Sequence, residues 1–208
     1  MSMTKVTNNI IEAVDASKLT GTLPAIDGSN LTGIESGGGG KILQVVSVHD
    51  VTPRSQTVAS TERVNISGLT ASITPSSTSS KILISARWNG ENSDSARTHD
   101  AVLGVRRDGT DLGLPSAPAS RFAGIAQVLG NAYNAGTGSY AEAGSTMDGG
   151  SFEYLDSPNS VSNLTYTITY CTSFGNSSTV YTNRTVSDSD HSYIERLTSS
   201  ITLWEIGA

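Results

Sequence analysis

Cysteine, charged residues and aromatic residues are all scarce in this chain. The 208 residues include a single cysteine, Cys171, so no internal disulfide bond can form and the fold must depend on a packed core. Charged residues make up 15% of the chain and aromatic residues 6%. Glycine, serine and threonine are abundant instead, a composition typical of all-β proteins. Cys171 lies in a segment with strand character, which predicts a buried, unreactive thiol.

An excess of positive charge and long apolar runs are also missing. The formal net charge is -6 and the isoelectric point is near 4.9. Binding to nucleic acid is therefore not expected, because it requires a basic face that offsets phosphate charge. No segment approaches the roughly 20 apolar residues that cross a membrane, and the N-terminus carries no apolar run of signal-peptide length. We expect a protein without membrane insertion that stays in a cytosol or is released by lysis.

A short unit occurs twice near the N-terminus. The pattern Asp-x-Ser-x-Leu-Thr-Gly begins at Asp15 and again at Asp27. Each copy has few large apolar groups, so it cannot bury them by folding on itself. Residues 15–36 are therefore predicted to form an extended stem that associates with its own copies, and a solvated linker is the alternative. The predicted contacts between stems are the aliphatic side chains of Leu19, Leu23, Ile26, Leu31 and Ile34.

The segments on either side of this stem have signatures of their own. Within residues 1–14, Val6, Ile10 and Val14 have the spacing of a short amphipathic helix or turn. A helix of this length is marginal in water, so we interpret the segment as an anchor that forms against a partner; a frayed tail is the alternative. Residues 37–40 are all glycine, which predicts a hinge or a domain boundary.

From residue 41 onwards, short runs rich in β-branched and aromatic residues alternate with turn signals. Eight runs are predicted as strands without a long helix between them, which indicates a β-sandwich. They cover residues 42–48, 57–66, 81–88, 101–107, 121–129, 152–155, 163–171 and 200–206. Asp108 and Gly109 predict a tight hairpin turn, because both tolerate the positive φ angles that it requires.

Alternation within three of these runs predicts which faces are buried. One face of residues 81–88 is apolar, and the run from Leu164 to Tyr170 sets an apolar face against a threonine face. The last run, residues 201–206, is apolar on both faces. We expect its second face to be covered by another subunit, and a central core strand is the alternative.

Two parts of the chain resemble proteins of bacteriophage particles. The sequence of residues 23–33 is similar to the short repeats in the shafts of phage tail fibres and related virion fibres. It reads Leu-Pro-Ala-Ile-Asp-Gly-Ser-Asn-Leu-Thr-Gly. In that family three identical chains wind around one axis. Residues 69–84, 106–110, 154–158 and 200–206 resemble, in order, the globular tip domain of marine and cyanobacterial phage fibre proteins.

This resemblance implies a particular architecture. Residues 41–208 would form a jelly-roll-like antiparallel β-sandwich tip that assembles as a homotrimer on the virion. Residues 1–14 would dock on other virion proteins, with residues 15–36 as the stem and 37–40 as the hinge. The resemblance does not imply one ligand, because such tips vary in the loops that bind.

Signatures of catalysis and metal binding are weak. The histidines, His49, His99 and His191, each adjoin an aspartate but lie far apart and share no ligand spacing. No serine or cysteine lies in a nucleophile motif. The acidic residues Asp188, Asp190 and Glu195 lack the glycine-punctuated loop of a calcium site. We therefore expect no enzymatic activity, no cofactor and no metal.

Three long polar segments are the candidate contact loops: residues 89–100, 130–150 and 172–192. The middle one carries Tyr133, Asn134 and Tyr140 among glycines and small residues. Rings can stack on sugars while amides contact hydroxyl groups, so these residues are the candidate receptor contact. Exposed tyrosines in a flexible loop are the alternative.

Two functions follow from these observations. In the first, the chain is a phage fibre whose tip binds a host-surface glycan or protein. In the second, it is a capsid- or neck-decoration (cement) protein that binds no receptor, which the shortness of the stem favours because two repeat units extend only a few tens of ångströms. A cytosolic sugar-binding domain unrelated to phage would require the repeat to be coincidental.

Overall fold

The computed structural model describes an all-β domain. The described residues are 40–59, 61–93, 100–117, 121–129, 146–172 and 177–207. The chain divides into two units between Gly39 and Gly40, and all described residues belong to the second. The predicted anchor, the stem and most of the hinge therefore lie outside the described residues, and they stay predictions.

Eleven strands account for the regular structure of the described residues. They are β1 (Ile42–Asp50), β2 (Arg54–Val58), β3 (Arg63–Ile73), β4 (Lys81–Asn92), β5 (Val102–Arg107), β6 (Thr110–Leu112), β7 (Ala126–Gln127), β8 (Asp148–Asp156), β9 (Leu164–Cys171), β10 (Ser178–Thr182) and β11 (Ser199–Ile206).

These strands form two antiparallel sheets that enclose one core. The first sheet has the order β1-β11-β4-β8, and β10 pairs with β4 on the same side as β11 and carries β2. The second sheet has the order β3-β9-β5, and β6 and β7 share the remaining edge of β5. The first strand thus lies beside the last, and the chain crosses repeatedly between the sheets as in a jelly roll. The predicted jelly-roll-like antiparallel sandwich is confirmed.

The core between the sheets follows the predicted alternation. Because neighbouring residues of a strand point to opposite faces, every second side chain of β4 and β9 faces inward. These inward residues are Ile82, Ile84, Ala86, Trp88, Leu164, Tyr166, Ile168 and Tyr170, all at most 6% exposed. The rings of Trp88 and Tyr170 meet across the core at 5.4 Å between centroids. Burial of each such large side chain contributes roughly 1.5 to 3 kcal/mol to folding.

Three of the predicted strands are wrong in extent. The run at 152–155 is only part of β8, which begins at Asp148. The run at 57–66 is not one strand, because the chain leaves the first sheet after Val58 and joins the second at Arg63. Thr61, with a φ of 63°, lies in the turn between them. The run at 121–129 pairs only at Ala126–Gln127 and through a single bridge from Leu129 to Gly149. Strand β10 was not predicted, because its five residues lie inside a polar segment.

The hairpin predicted at Asp108 and Gly109 is present. Their φ angles are 49° and 85°, and the turn joins Arg107 of β5 to Thr110 of β6. The carboxylate of Asp108 also accepts a hydrogen bond of 2.9 Å from the Thr165 amide of β9. The turn is therefore bound to the neighbouring strand, and its left-handed backbone is confined to residues that tolerate it.

The chain enters the domain at one end of the sandwich, here called the proximal end. Ile42 pairs with Ile206, and the amide of Gly207 donates to the carbonyl of Lys41 at 2.8 Å, so the last strand ends where the first begins. The two sheets are joined here as well: Arg107 and Tyr166 of the second sheet both donate to Asp156 of the first.

Glu205 is a buried carboxylate at the proximal end. It faces the core side of β11 and is only 1% exposed. Gln44 Nε2 donates to it at 2.8 Å, and Ser76 donates through both its amide and its hydroxyl, at 2.7 and 2.6 Å. A further bond of 2.7 Å comes from the hydroxyl of Ser80. The carboxylate thus fastens the loop between β3 and β4 to β1 and β11.

These four bonds decide the charge state of Glu205. Burial alone would raise the pKa of its carboxyl group, but the hydrogen bonds from Ser76, Gln44 and Ser80 outweigh burial and lower the pKa from 4.5 to about 2. Because the folded pKa lies below the unfolded one, Glu205 stabilises the fold fully above about pH 5, and this contribution disappears as the pH falls toward 2. The shift corresponds to roughly 3 kcal/mol.

We therefore expect acid to destabilise the protein through Glu205. The free energy of unfolding, measured by urea denaturation at fixed protein concentration, should fall between pH 5 and pH 2.5. Glu205→Gln should be less stable at pH 7 and should have a shallower pH slope in this range, because the amide that replaces the carboxylate does not titrate. A variant whose slope equals that of the unsubstituted protein would contradict this role of the carboxylate.

Candidate functional surface

Five strand ends from both sheets meet at the end of the sandwich opposite the chain entry, here called the distal end. In the second sheet, Val102 at the start of β5 pairs with both Cys171 and Gln127. In the first sheet, Asp148 and Asn92 lie at the corresponding ends of β8 and β4. The amide of Asn92 donates to the hydroxyl of Tyr170 at 3.1 Å, which joins the two sheets at this end.

The predicted contact loops are flanked by these strand ends. Each predicted loop is partly strand, because β4 extends to Asn92, β8 begins at Asp148 and β10 lies inside the third segment. The first segment leaves β4, the second follows β7 and the third follows β9, so the topology brings the flanks of all three to one end. Tyr133, Asn134 and Tyr140 lie outside the described residues, and their receptor contact stays a prediction.

Several polar side chains are buried at the distal end, beside the apolar ones. They are Glu91, Asn92, Asp148 and Thr172, at most 7% exposed. Burial raises the pKa of the neighbouring Tyr170, so its hydroxyl stays protonated at neutral pH. Such groups are buried only where hydrogen bonds satisfy them, so they hold the strand ends in a defined arrangement.

The residues between β10 and β11 form a described surface that reaches this end. The amide of Met147, just before β8, donates to the carboxylate of Glu195 at 2.8 Å. Arg196 and Arg184 form ion pairs with Asp188. The carboxylates of Asp188 and Glu195 therefore bind protein donors. Among the described residues, no three histidine, cysteine, aspartate or glutamate side chains are placed to hold a metal ion.

An aromatic pair is exposed on this surface. The rings of His191 and Tyr193 stack with centroids 5.0 Å apart and planes 6° from parallel. Tyr193 is 59% exposed. A ring with one open face and a polar hydroxyl can stack on a sugar while it hydrogen-bonds to the sugar's hydroxyl groups. Tyr193 was not among the predicted contact residues, because it lies just beyond the polar segment that ends at 192.

Asn183 holds the start of this surface. It is 1% exposed and adopts a φ of 62°. Its side-chain amide donates to the carbonyls of Asp50 and Thr52 at 2.9 and 3.1 Å. Its side-chain oxygen accepts from Ser199 at 2.7 Å, and its backbone amide donates to Asn89 at 2.9 Å. One residue thus joins β4, β11 and the bend between β1 and β2.

The structure separates His49 from its neighbour Asp50. His49 is exposed while Asp50 is buried, because adjacent strand residues point to opposite faces. Burial alone would raise the pKa of Asp50, but hydrogen bonds from Arg54 and Thr52 lower it below its usual value. His191 stacks on Tyr193, and His99 lies outside the described residues. His49 and Asp50 are therefore not an acid-base dyad.

Cys171 is buried near the distal end, as predicted. Its thiol lies 3.8 Å from the carbonyl of Thr61, and burial raises the pKa of the thiol. A protonated, inaccessible thiol is a poor nucleophile, which agrees with the unreactive role expected from the sequence.

Comparison with known proteins gives no assignment. No protein-family model matches the chain, and no curated protein matches it. Within the residues that the structure describes, no helix has the length and apolar character needed to span a membrane.

Substitution of Asn183 should separate its backbone role from its side-chain role. Asn183→Gly keeps the left-handed backbone but leaves the buried hydroxyl and carbonyl groups without the amide, so we expect a loss of roughly 1 to 3 kcal/mol. Asn183→Ala should lose about 1 kcal/mol more of the free energy of unfolding, because a φ of 62° is strained for alanine. Chemical denaturation measures both values. Equal stability of the two variants would contradict the backbone argument.

Proposed function

We propose that the chain is a structural protein of a bacteriophage particle, a trimeric fibre whose N-terminus docks on other virion proteins and whose tip recognises a host-surface receptor. The observation that carries this proposal is that the two ends of the sandwich differ. The chain enters at the proximal end, and the flanks of all three long polar segments lie at the distal end. A fibre needs this arrangement, because its stalk and its contact surface must not compete for the same end.

The sequence patterns support the same assignment. The repeat at residues 15–36 precedes the point where the chain enters the sandwich, and its sequence resembles that of phage fibre shafts. The jelly-roll strand order is the one that the resemblance to fibre tips implies. Released by lysis as part of the virion, such a protein needs neither a membrane anchor nor a cofactor.

Receptor binding is the role that the distal surface supports best. The aromatic pair His191 and Tyr193 and the predicted residues Tyr133, Asn134 and Tyr140 combine rings with amides, a mixture suited to glycans. Three copies on one fibre multiply a weak affinity, because the second and third contacts are intramolecular. We assign no catalytic role to these residues.

A capsid- or neck-decoration protein is the second candidate. The short stem favours it, because two repeat units project the tip only a few tens of ångströms from the particle. In that role the distal end would bind nothing on the host.

Adsorption competition tests the proposed function. The purified full chain is added in excess to candidate host cells before the phage that carries it, and unadsorbed phage are counted. We expect adsorption to be blocked. Tyr133→Ala combined with Tyr140→Ala, and separately Tyr193→Ala, should each raise the concentration for half-inhibition about tenfold or more, as the loss of about 1.4 kcal/mol of contact energy requires.

The control variant is Val161→Ser. Val161 is 53% exposed and lies in the connection between β8 and β9, away from the distal end. It should compete as well as the unsubstituted chain. A folded, trimeric protein that leaves adsorption unchanged on every host permissive for the phage would reject receptor binding and favour the decoration role.

A further inference from the structure

An apolar row crosses the outward face of the first sheet. Val45, Trp204, Leu83 and Leu155 are paired in direct register across β1, β11, β4 and β8. They point away from the core, because their strand neighbours Leu203 and Ile84 are fully buried inside it. Val45 and Leu155 are 48% and 47% exposed, and the two residues between them are partly exposed.

The row widens toward the chain entry and ends abruptly in the other direction. Ile206 and Leu43 lie on its proximal side, and Leu43 is 47% exposed. The next outward row toward the distal end is polar, with Thr202 and Ser85 at its centre and Glu153 at its edge. We define the apolar band as Leu43, Val45, Leu83, Leu155, Trp204 and Ile206.

The described part of the fold does not account for the band. An antiparallel sheet with one solvated face normally alternates apolar and polar side chains, as the polar row does here. A tryptophan flanked in register by leucine and valine on an outward face is instead typical of a surface that another molecule covers. The sequence already indicated two apolar faces in the last strand, and the outward one belongs to this band.

We propose that the apolar band is where the tips of neighbouring copies of this chain meet in the trimer. The chain enters at Gly40, three residues before Leu43, and the predicted stem ends at residue 36. Four extended residues span at most about 14 Å. Three stems that share an axis therefore hold three bands close to that axis. The inference rests on the stem of the proposed function, and it adds the surface through which the tips associate.

The band is small, so the tips need their covalent link to the stem in order to associate. Its four strands span roughly 15 Å and its two rows lie about 7 Å apart, which gives an area on the order of 200 Å². A specific interface buries about 800 Å² on each partner, so the band alone cannot hold free tips together. A short covalent tether raises the effective concentration of the tips to the millimolar range, where a small apolar contact suffices.

Trp204 reports directly on this contact. The chain has two tryptophans, and the other, Trp88, is fully buried in the core. Fluorescence quenching by acrylamide is measured for the full chain and for Trp204→Phe. The difference between the two therefore isolates the quenching of Trp204. We expect a trimer by sedimentation with Trp204 shielded, and we expect Val45→Glu combined with Leu155→Glu to increase its quenching severalfold. Val51→Glu is the matched control, because Val51 is 62% exposed and lies beyond the other end of β1.

Each result supports or overturns the inference. A shielded Trp204 that the double variant exposes, with circular dichroism unchanged, supports it. A trimer in which Trp204 is quenched equally in both proteins overturns it while the trimeric fibre stands. A monomer with a shielded Trp204 overturns it too, because the chain's own preceding residues then cover the band. A monomer with an accessible Trp204 rejects both the contact and the trimer, and adsorption competition decides receptor binding independently.

Discussion

Burial of one face of β4 is the constraint on which the rest of the domain depends. Ile82, Ile84 and Trp88 are fully buried there, and the same strand is paired with β8 on one side and with β11 and β10 on the other. Burial of that face requires a second sheet above it. Because β11 must lie beside both β4 and β1, the end of the domain is brought back to its beginning, and this return defines the proximal end.

Buried polar groups hold the connections at the two ends of the apolar core. Glu205 fastens the proximal loop between β3 and β4, and Asn183 fastens β10 to the first bend of the chain. Each is satisfied by several donors or acceptors, so each specifies one arrangement of its neighbours, and removal of either leaves buried groups unpaired. The apolar core thus supplies most of the folding energy, and these polar contacts select how the connections lie at both ends.

The two ends and the outward face then have different chemistry. The proximal end has an apolar band beside the chain entry, and the distal end has the flanks of the long polar segments, next to a surface with an exposed aromatic pair. An apolar band near the tether is suited to contacts between copies of the chain, while polar, aromatic loops at the far end are suited to a hydroxyl-rich ligand. The proposed fibre uses both surfaces at once, which a domain with its loops beside its stalk could not do.

The sequence by itself determined the all-β class, the inward faces of β4 and β9, the turn at Asp108 and Gly109 and the buried thiol, because alternation and turn chemistry are local properties. Tertiary structure alone decided the rest. The split between β2 and β3, the inward carboxylate of Glu205 and the register that aligns Val45, Trp204 and Leu83 all depend on partners far away in the chain. No local pattern encodes which strands become neighbours, so the surfaces they build together appear only when the sheets close.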